Sequence, residues 1–98
     1  MYKVIILPLA QKDIRKSFNW YEQQKKGLGI RFTANVRNIV NVIQQNPASF
    51  SIKFDDVRIA VMSAFPYLIH YRIDESNKLI AIYAVVHSSQ DSKNWEGR

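Results

Sequence analysis

His87 opens the stretch His87-Ser88-Ser89-Gln90-Asp91-Ser92-Lys93-Asn94-Trp95, directly after the apolar run "LIAIYAVV". An imidazole with an ordinary pKa near ~6.5 exchanges a proton readily at neutral pH. A histidine placed where a strand gives way to irregular chain therefore suits general acid or base work, and it equally suits the polar exit of a strand. Arg58, in "VRIAVMS", is the second residue with chemical reach. Its guanidinium is either a donor to an anionic ligand or a strand-edge arginine paired with Asp55 or Asp56. Arg72 shares a strand face with His70 in "YLIHYRI" and lies next to Asp74, which favours a structural salt bridge. His70 itself sits mid-strand between Ile69 and Tyr71 and reads as a half-buried hydrogen-bonding residue, not a catalyst.

Composition removes several other chemistries. Among 98 residues there is no cysteine, so no thiolate nucleophile, zinc-thiolate site or disulfide framework is available, and two histidines make a histidine-rich metal site improbable. No cofactor or metal is implied. The apolar start "MYKVIIL" is short, is broken by Pro8 and is followed by charge, which suits neither a signal peptide nor a membrane span. A soluble protein of the reducing cytoplasm is expected, folded as one domain over residues 1–98. The net charge of +6 is unevenly placed: up to Phe50, eight Lys and Arg face only Asp13 and Glu22, whereas bases and acids balance from Ser51 onward. A polyanion or an acidic protein would thus be drawn first to the N-terminal half, around Lys12, Lys16, Lys25, Lys26 and Arg31. A solvated helix face is the plainer reading of the same charges, and no aromatic interleaving or nucleic-acid motif accompanies them.

The elements that must position these residues follow from periodicity. "YKVIIL" predicts a buried strand over Tyr2 to Leu7, ended by Pro8. Ile14, Phe18 and Tyr21 recur at helical spacing between Ala10 and Gln24, and Phe32, Val36, Ile39, Val40 and Ile43 do so up to Asn46-Pro47. The glycines of "KKGLG" join these two helices into an antiparallel hairpin. Tyr21 fits the buried stripe of the first helix, and its neighbour Trp20 falls on the margin, where a partner could bind. Beyond Pro47 the period becomes that of strands: Val57 to Ser63, then Tyr67 to Ile73, a hairpin loop at Asp74 to Asn77, and Lys78 to Val86, whose continuous apolarity suits a central strand covered on both faces. The expected fold is α+β, in the order β-α-α-β-β-β, with a C-terminal three-stranded antiparallel meander and all strands in one sheet.

With that order, "A-x-x-D-I" at Ala10 to Ile14, "WYE" at Trp20 to Glu22, "GLG-x-x-F" at Gly27 to Phe32, Asn46-Pro47, Arg58, "FPY-x-I-x-Y-x-I" at Phe65 to Ile73 and "AVVH" at Ala84 to His87 with Trp95 beyond form a set that spans nearly the whole chain. The chain resembles the RelE/ParE toxins of bacterial type II toxin-antitoxin modules, in the plasmid-stabilisation branch. The resemblance implies a small cytoplasmic growth inhibitor neutralised by a cognate antitoxin that wraps it, with DNA contacted only through the antitoxin. It also implies one of two targets: DNA gyrase, blocked by binding in ParE-like members, or the ribosomal A site, where RelE-like members cleave mRNA.

RNA cleavage without a metal needs a base, cations for the phosphorane and an acid for the leaving oxygen. By the resemblance, Arg58 falls where nuclease members carry a basic strand residue, and it and His87 are the candidate catalytic pair. Ala60, Leu68 and Ser88, however, occupy positions where further cations are expected. Branch members commonly run His-x-x-Arg-x-Pro-x-x-Trp after the last strand, and here Gln90 and Ser92 replace the arginine and proline. The lost guanidinium removes a bidentate phosphate donor. Arg72, Trp95, Trp20, Lys12 and Lys16 are the candidate contacts to target or antitoxin, with Trp95 packing back on the domain as its plainer role. The sequence thus favours a ParE-like toxin that acts by binding, over a ribosome-dependent endoribonuclease using Arg58 and His87, or a degenerate, non-toxic antitoxin-binding partner.

Overall fold

Pro8 sets the entry to the fold. In the computed structural model, which describes residues 1–90, it ends β1 (Lys3–Ile6) and occupies the first turn of α1 (Pro8–Gln24). Its missing N–H and fixed φ suit that position, so the helix begins ahead of the expected Ala10. A turn at Lys25 to Gly27, with Gly27 at φ +90°, leads to α2 (Leu28–Gln45). A short 3-10 turn, Pro47–Ser49, then leads to β2 (Ile52–Phe54), β3 (Val57–Val61), β4 (Tyr67–Asp74) and β5 (Leu79–His87). The strands form one sheet in the order β1-β5-β4-β3-β2, with β1 parallel to β5 and the other pairs antiparallel.

The α+β architecture and the helical hairpin match the expectation, with one addition. β2 forms a hairpin with β3 around Asp55-Asp56, and Asp55 takes φ +46°, a left-handed conformation that Asp tolerates better than most residues. With three residues and an irregular register, β2 carries too short an alternation to be read from sequence.

Both helices cover one face of the sheet. The core joins Phe32, Val36 and Ile43 of α2 to Ile69 and Tyr71 of β4 and to Ile80, Ile82 and Val85 of β5. Ile82 and Val85 share this face because β5 bulges: His70 pairs with Ala84 and Tyr71 with Ile82, leaving Tyr83 as the extra residue. Coverage on both faces of β5 is confined to its end, at Ala84, Val85 and Val86, since Leu79, Ala81 and Tyr83 are only half-buried. Asn35, buried on α2, donates to Ser63 Oγ and accepts from the Ala64 N–H, both at 3.0 Å, and so fixes the loop that delivers Tyr67 to the sheet. No helix among the described residues is long and apolar enough to cross a membrane.

Candidate functional site

Where β1 stops opposite Ile82, β5 runs on to His87 with no strand beside it on that edge among the described residues. Helix α1 passes alongside. Its Asp13 accepts the Val85 N–H at 3.0 Å, replacing the carbonyl that a longer β1 would have offered. Between helix and strand lies a groove of about 670 Å³, which α1 lines with Leu9, Lys12, Lys16 and Trp20 and the sheet lines with Tyr67 and His87. The helical residues fall at three- and four-residue spacings, so one face presents them all. Lys12 and Lys16 are exposed, as is Trp20, at 56%. Tyr21 turns inward from the same helix to stack on Phe32 at 5.4 Å, and burial pushes its hydroxyl pKa up to about 12, with the nearby Tyr67 adding to the shift.

His87 lies opposite Tyr67 on the helix-covered face, their rings edge to face at 5.3 Å. Its Nδ1 accepts the Ser89 N–H at 3.1 Å and lies 2.8 Å from Ser89 Oγ. An amide N–H can only donate, so Nδ1 carries the lone pair and the proton of the neutral ring belongs on Nε2. The histidine therefore offers the groove a donor, and its one basic nitrogen is already engaged. With the ammonium groups of Lys12 and Lys16, this arrangement suits recognition of an anionic group better than proton abstraction.

Arg58 is placed elsewhere. It pairs with Tyr71, a core residue, so its side chain starts from the helix-covered face. Its Nη1 donates to the carbonyls of Phe50, at 2.5 Å, and Ala48, at 3.3 Å, while the Tyr71 hydroxyl donates to the Pro47 carbonyl. Together they tie the connection after α2 to the sheet. The expected pairing of Arg58 with Asp55 or Asp56 does not occur in these contacts: Asp56 instead meets Arg72 Nε at 2.6 Å. Truncating Arg58 to Ala is expected to cost about 1.5–3 kcal/mol, the range for hydrogen bonds to a charged partner. Urea unfolding measures this, and an arginine serving only a target would leave the midpoint unmoved.

Arg72 projects from the opposite face of β4. Besides Asp56, it reaches the Tyr83 hydroxyl at 2.8 Å, with its guanidinium 5.0 Å from that ring's centroid. Asp74, its expected partner, instead accepts from the Asn77 backbone and side chain and closes the β4–β5 turn. His70 is fully buried at 1% exposure, not half-buried. Trp95 lies outside the described residues.

The structure thus brings Lys12, Lys16, Trp20 and His87 together and leaves Arg58 and Arg72 outside their groove. Sequence reasoning missed Asp13 and Tyr67 as members of the same wall. Tyr67 was within reach of strand parity, since it alternates with Ile69 and Tyr71 on the core face. Asp13 was not, because its partner is a backbone amide 72 positions away.

Comparison with known proteins agrees with this architecture. The structure resembles a chain of the chromosomal ParDE TA system from P. aeruginosa with a TM-score of 0.77 at 16% sequence identity, over 89% of this chain and 96% of that one. At that identity the likeness speaks to the fold. No curated protein of similar sequence was found. The family model described as "ParE toxin of type II toxin-antitoxin system, parDE" matches residues 4–92, nearly the full length, and the chain therefore belongs to the ParE toxins of type II toxin-antitoxin systems.

Proposed function

We propose that the protein is a cytoplasmic growth inhibitor, held inactive by a cognate antitoxin, that acts by binding DNA gyrase and not by cutting RNA. The observation that carries the choice of target is the engagement of both candidate catalytic groups. The Arg58 guanidinium is committed to the carbonyls of Ala48 and Phe50, and the basic nitrogen of His87 to the Ser89 amide. Metal-independent RNA cleavage needs a free base and a cation aimed at one phosphate. These two side chains sit on different strands and serve different loops. Binding has no such requirement, and a basic groove with an exposed tryptophan supports it.

Inducing the toxin without antitoxin, followed by transcript mapping and a gyrase assay on the same culture, tests the reading. Arrested growth with cleaved DNA, an SOS response and intact transcripts is expected. Codon-phased mRNA cuts that vanish in His87→Ala would replace it with the ribosome-dependent nuclease. Unaffected growth alongside intact antitoxin binding would instead mark a degenerate, non-toxic partner.

A further inference from the structure

The face of the sheet turned away from the helices should be its wet side, yet part of it is buried. Side chains alternate along a strand. With Ile69, Tyr71 and Val85 in the helix-covered core, the residues Leu68, His70, Ala84 and Val86 belong to the opposite face. Ala84 and His70, paired across β5 and β4, are 0% and 1% exposed, and Val86 is 4% exposed. Among the described residues no α-helix or second sheet covers this face. Burial also fades with distance from the end of β5. Across the sheet it falls from Val86 through half-buried Leu68 to Val61 on β3, which is 65% exposed. Back along β5, Ala81 is again only half-buried. Val57, also buried on this face, lies beside Arg72, whose guanidinium crosses to Asp56.

The buried area is therefore centred where β5 ends, and the chain leaves β5 at that point through Ser88–Gln90. From these features we infer that the segment 91–98 folds back across this face and seats the Trp95 side chain over Ala84, Val86 and His70. In "DSKNWEGR" Trp95 is the one large apolar side chain, and an aromatic residue of that kind buries about 150–250 Å². Its position five residues beyond Gln90 gives it a reach of up to roughly 17 Å. Ala84 lies three residues back from His87, roughly 10 Å along the strand. The burial is that of a single chain, so neither an antitoxin nor a second copy supplies the cover. This face is then closed by the chain's own end, and a target must use another surface.

Trp20→Phe makes the test direct, because it leaves Trp95 as the single tryptophan, and the exposed position of Trp20 keeps the fold intact by far-UV circular dichroism. In this full-length variant, Trp95 fluorescence is expected to be blue-shifted from that of free tryptophan and poorly quenched by acrylamide, at every protein concentration. Its indole protons should show nuclear Overhauser contacts to the Ala84 and Val86 methyl groups. Trp95→Ala in the wild-type chain is expected to lower the folded-to-unfolded ratio in urea by roughly tenfold to a hundredfold, the worth of burying one large side chain. His70, unreactive towards diethyl pyrocarbonate in the wild type, should become reactive in that variant. Should Trp95→Ala not fold, the fluorescence and Overhauser contacts of the Trp20→Phe chain still decide. Water-like emission with free quenching, or contacts from Trp95 to Leu9 in the groove beside α1, overturns the seat. Protection that is lost on dilution assigns the contact to a second copy and overturns it as well. Each outcome is read without antitoxin or gyrase, so the proposed function stands or falls separately.

Discussion

Replacing Phe32 by alanine is expected to lower the free energy of unfolding by about 3–5 kcal/mol, a large share of the ~5–15 kcal/mol typical of a small domain. Phe32 has no exposed surface, and three rings meet around it. It stacks on Tyr21 and stands edge to face with Phe65, at 5.3 Å, and with Tyr67, at 4.9 Å. Tyr21 also meets Phe65 edge to face at 4.9 Å, so the cluster joins α1, α2, β4 and the loop before it around one side chain. Truncation leaves a cavity that these rings cannot fill without abandoning their own contacts. The consequence extends beyond stability, because Tyr21 and Tyr67 are also walls of the groove beside β5. Urea unfolding should therefore show the loss in the midpoint, and antitoxin affinity measured well below that midpoint should fall as well. Ile30→Ala is the matched control: Ile30 is 62% exposed on α2, and its truncation is expected to stay within about 0.5 kcal/mol.

The residues around Phe32 show which parts of this fold are legible in the sequence. Helices with a three- and four-residue apolar repeat and strands with a two-residue repeat announce themselves, so α1, α2, β3, β4 and β5 are all visible, with boundaries displaced by a few residues. Pro8 reads as an end and is also a beginning, since proline at a helix N-terminus loses nothing that the first turn needs. The β5 bulge is hidden, because Tyr83 in an apolar run does not declare which face it has left. That bulge decides which side chains share the core face towards the end of β5, His87 included. The candidate site is legible as separate residues and not as an assembly. Arg58 looks available because a sequence shows side chains without the backbone carbonyls that capture them, and the Ala48 and Phe50 carbonyls are such partners. Lys12, Lys16 and His87 stand out for unrelated reasons, and only the passage of α1 along the β5 edge puts them in one groove.

Gly29→Ala is expected to be the most damaging single-methyl change in the helical hairpin. A Cβ at Gly29 would stand 2.6 Å from the Phe18 carbonyl oxygen and 2.7 Å from Glu22 Cγ. The first of these is backbone inside α1 and cannot rotate aside, so the two helices must separate. The second belongs to a side chain that is already engaged, since a Glu22 carboxylate oxygen accepts the Gly29 N–H at 2.8 Å. Backbone donation from Gly27, followed by Gly29 and Ile30, holds the Glu22 carboxyl below its ordinary pKa against the opposing effect of desolvation. Glu22 therefore supplies the N-terminal cap that α2 lacks in its own sequence, where Gly27 offers no side chain. Overpacking of a close contact costs about 1–3 kcal/mol, and separation of the helices also weakens the cap, placing Gly29→Ala at or above the upper end. At roughly 4–8 °C per kcal/mol for a domain of this size, the melting temperature should fall by well over ten degrees. Gly27→Ala provides the contrast. It carries the unfavourable φ of +90° but has nothing within 4 Å of its Cβ position, so the cost is that of a left-handed residue alone, about 1–2 kcal/mol. Thermal melts of the two variants decide between close approach and backbone conformation as the stronger constraint on the hairpin. A milder effect at Gly29 than at Gly27 would mean that α1 and α2 yield at this crossing, and that the wall of the β5 groove, which α1 forms, can shift with them.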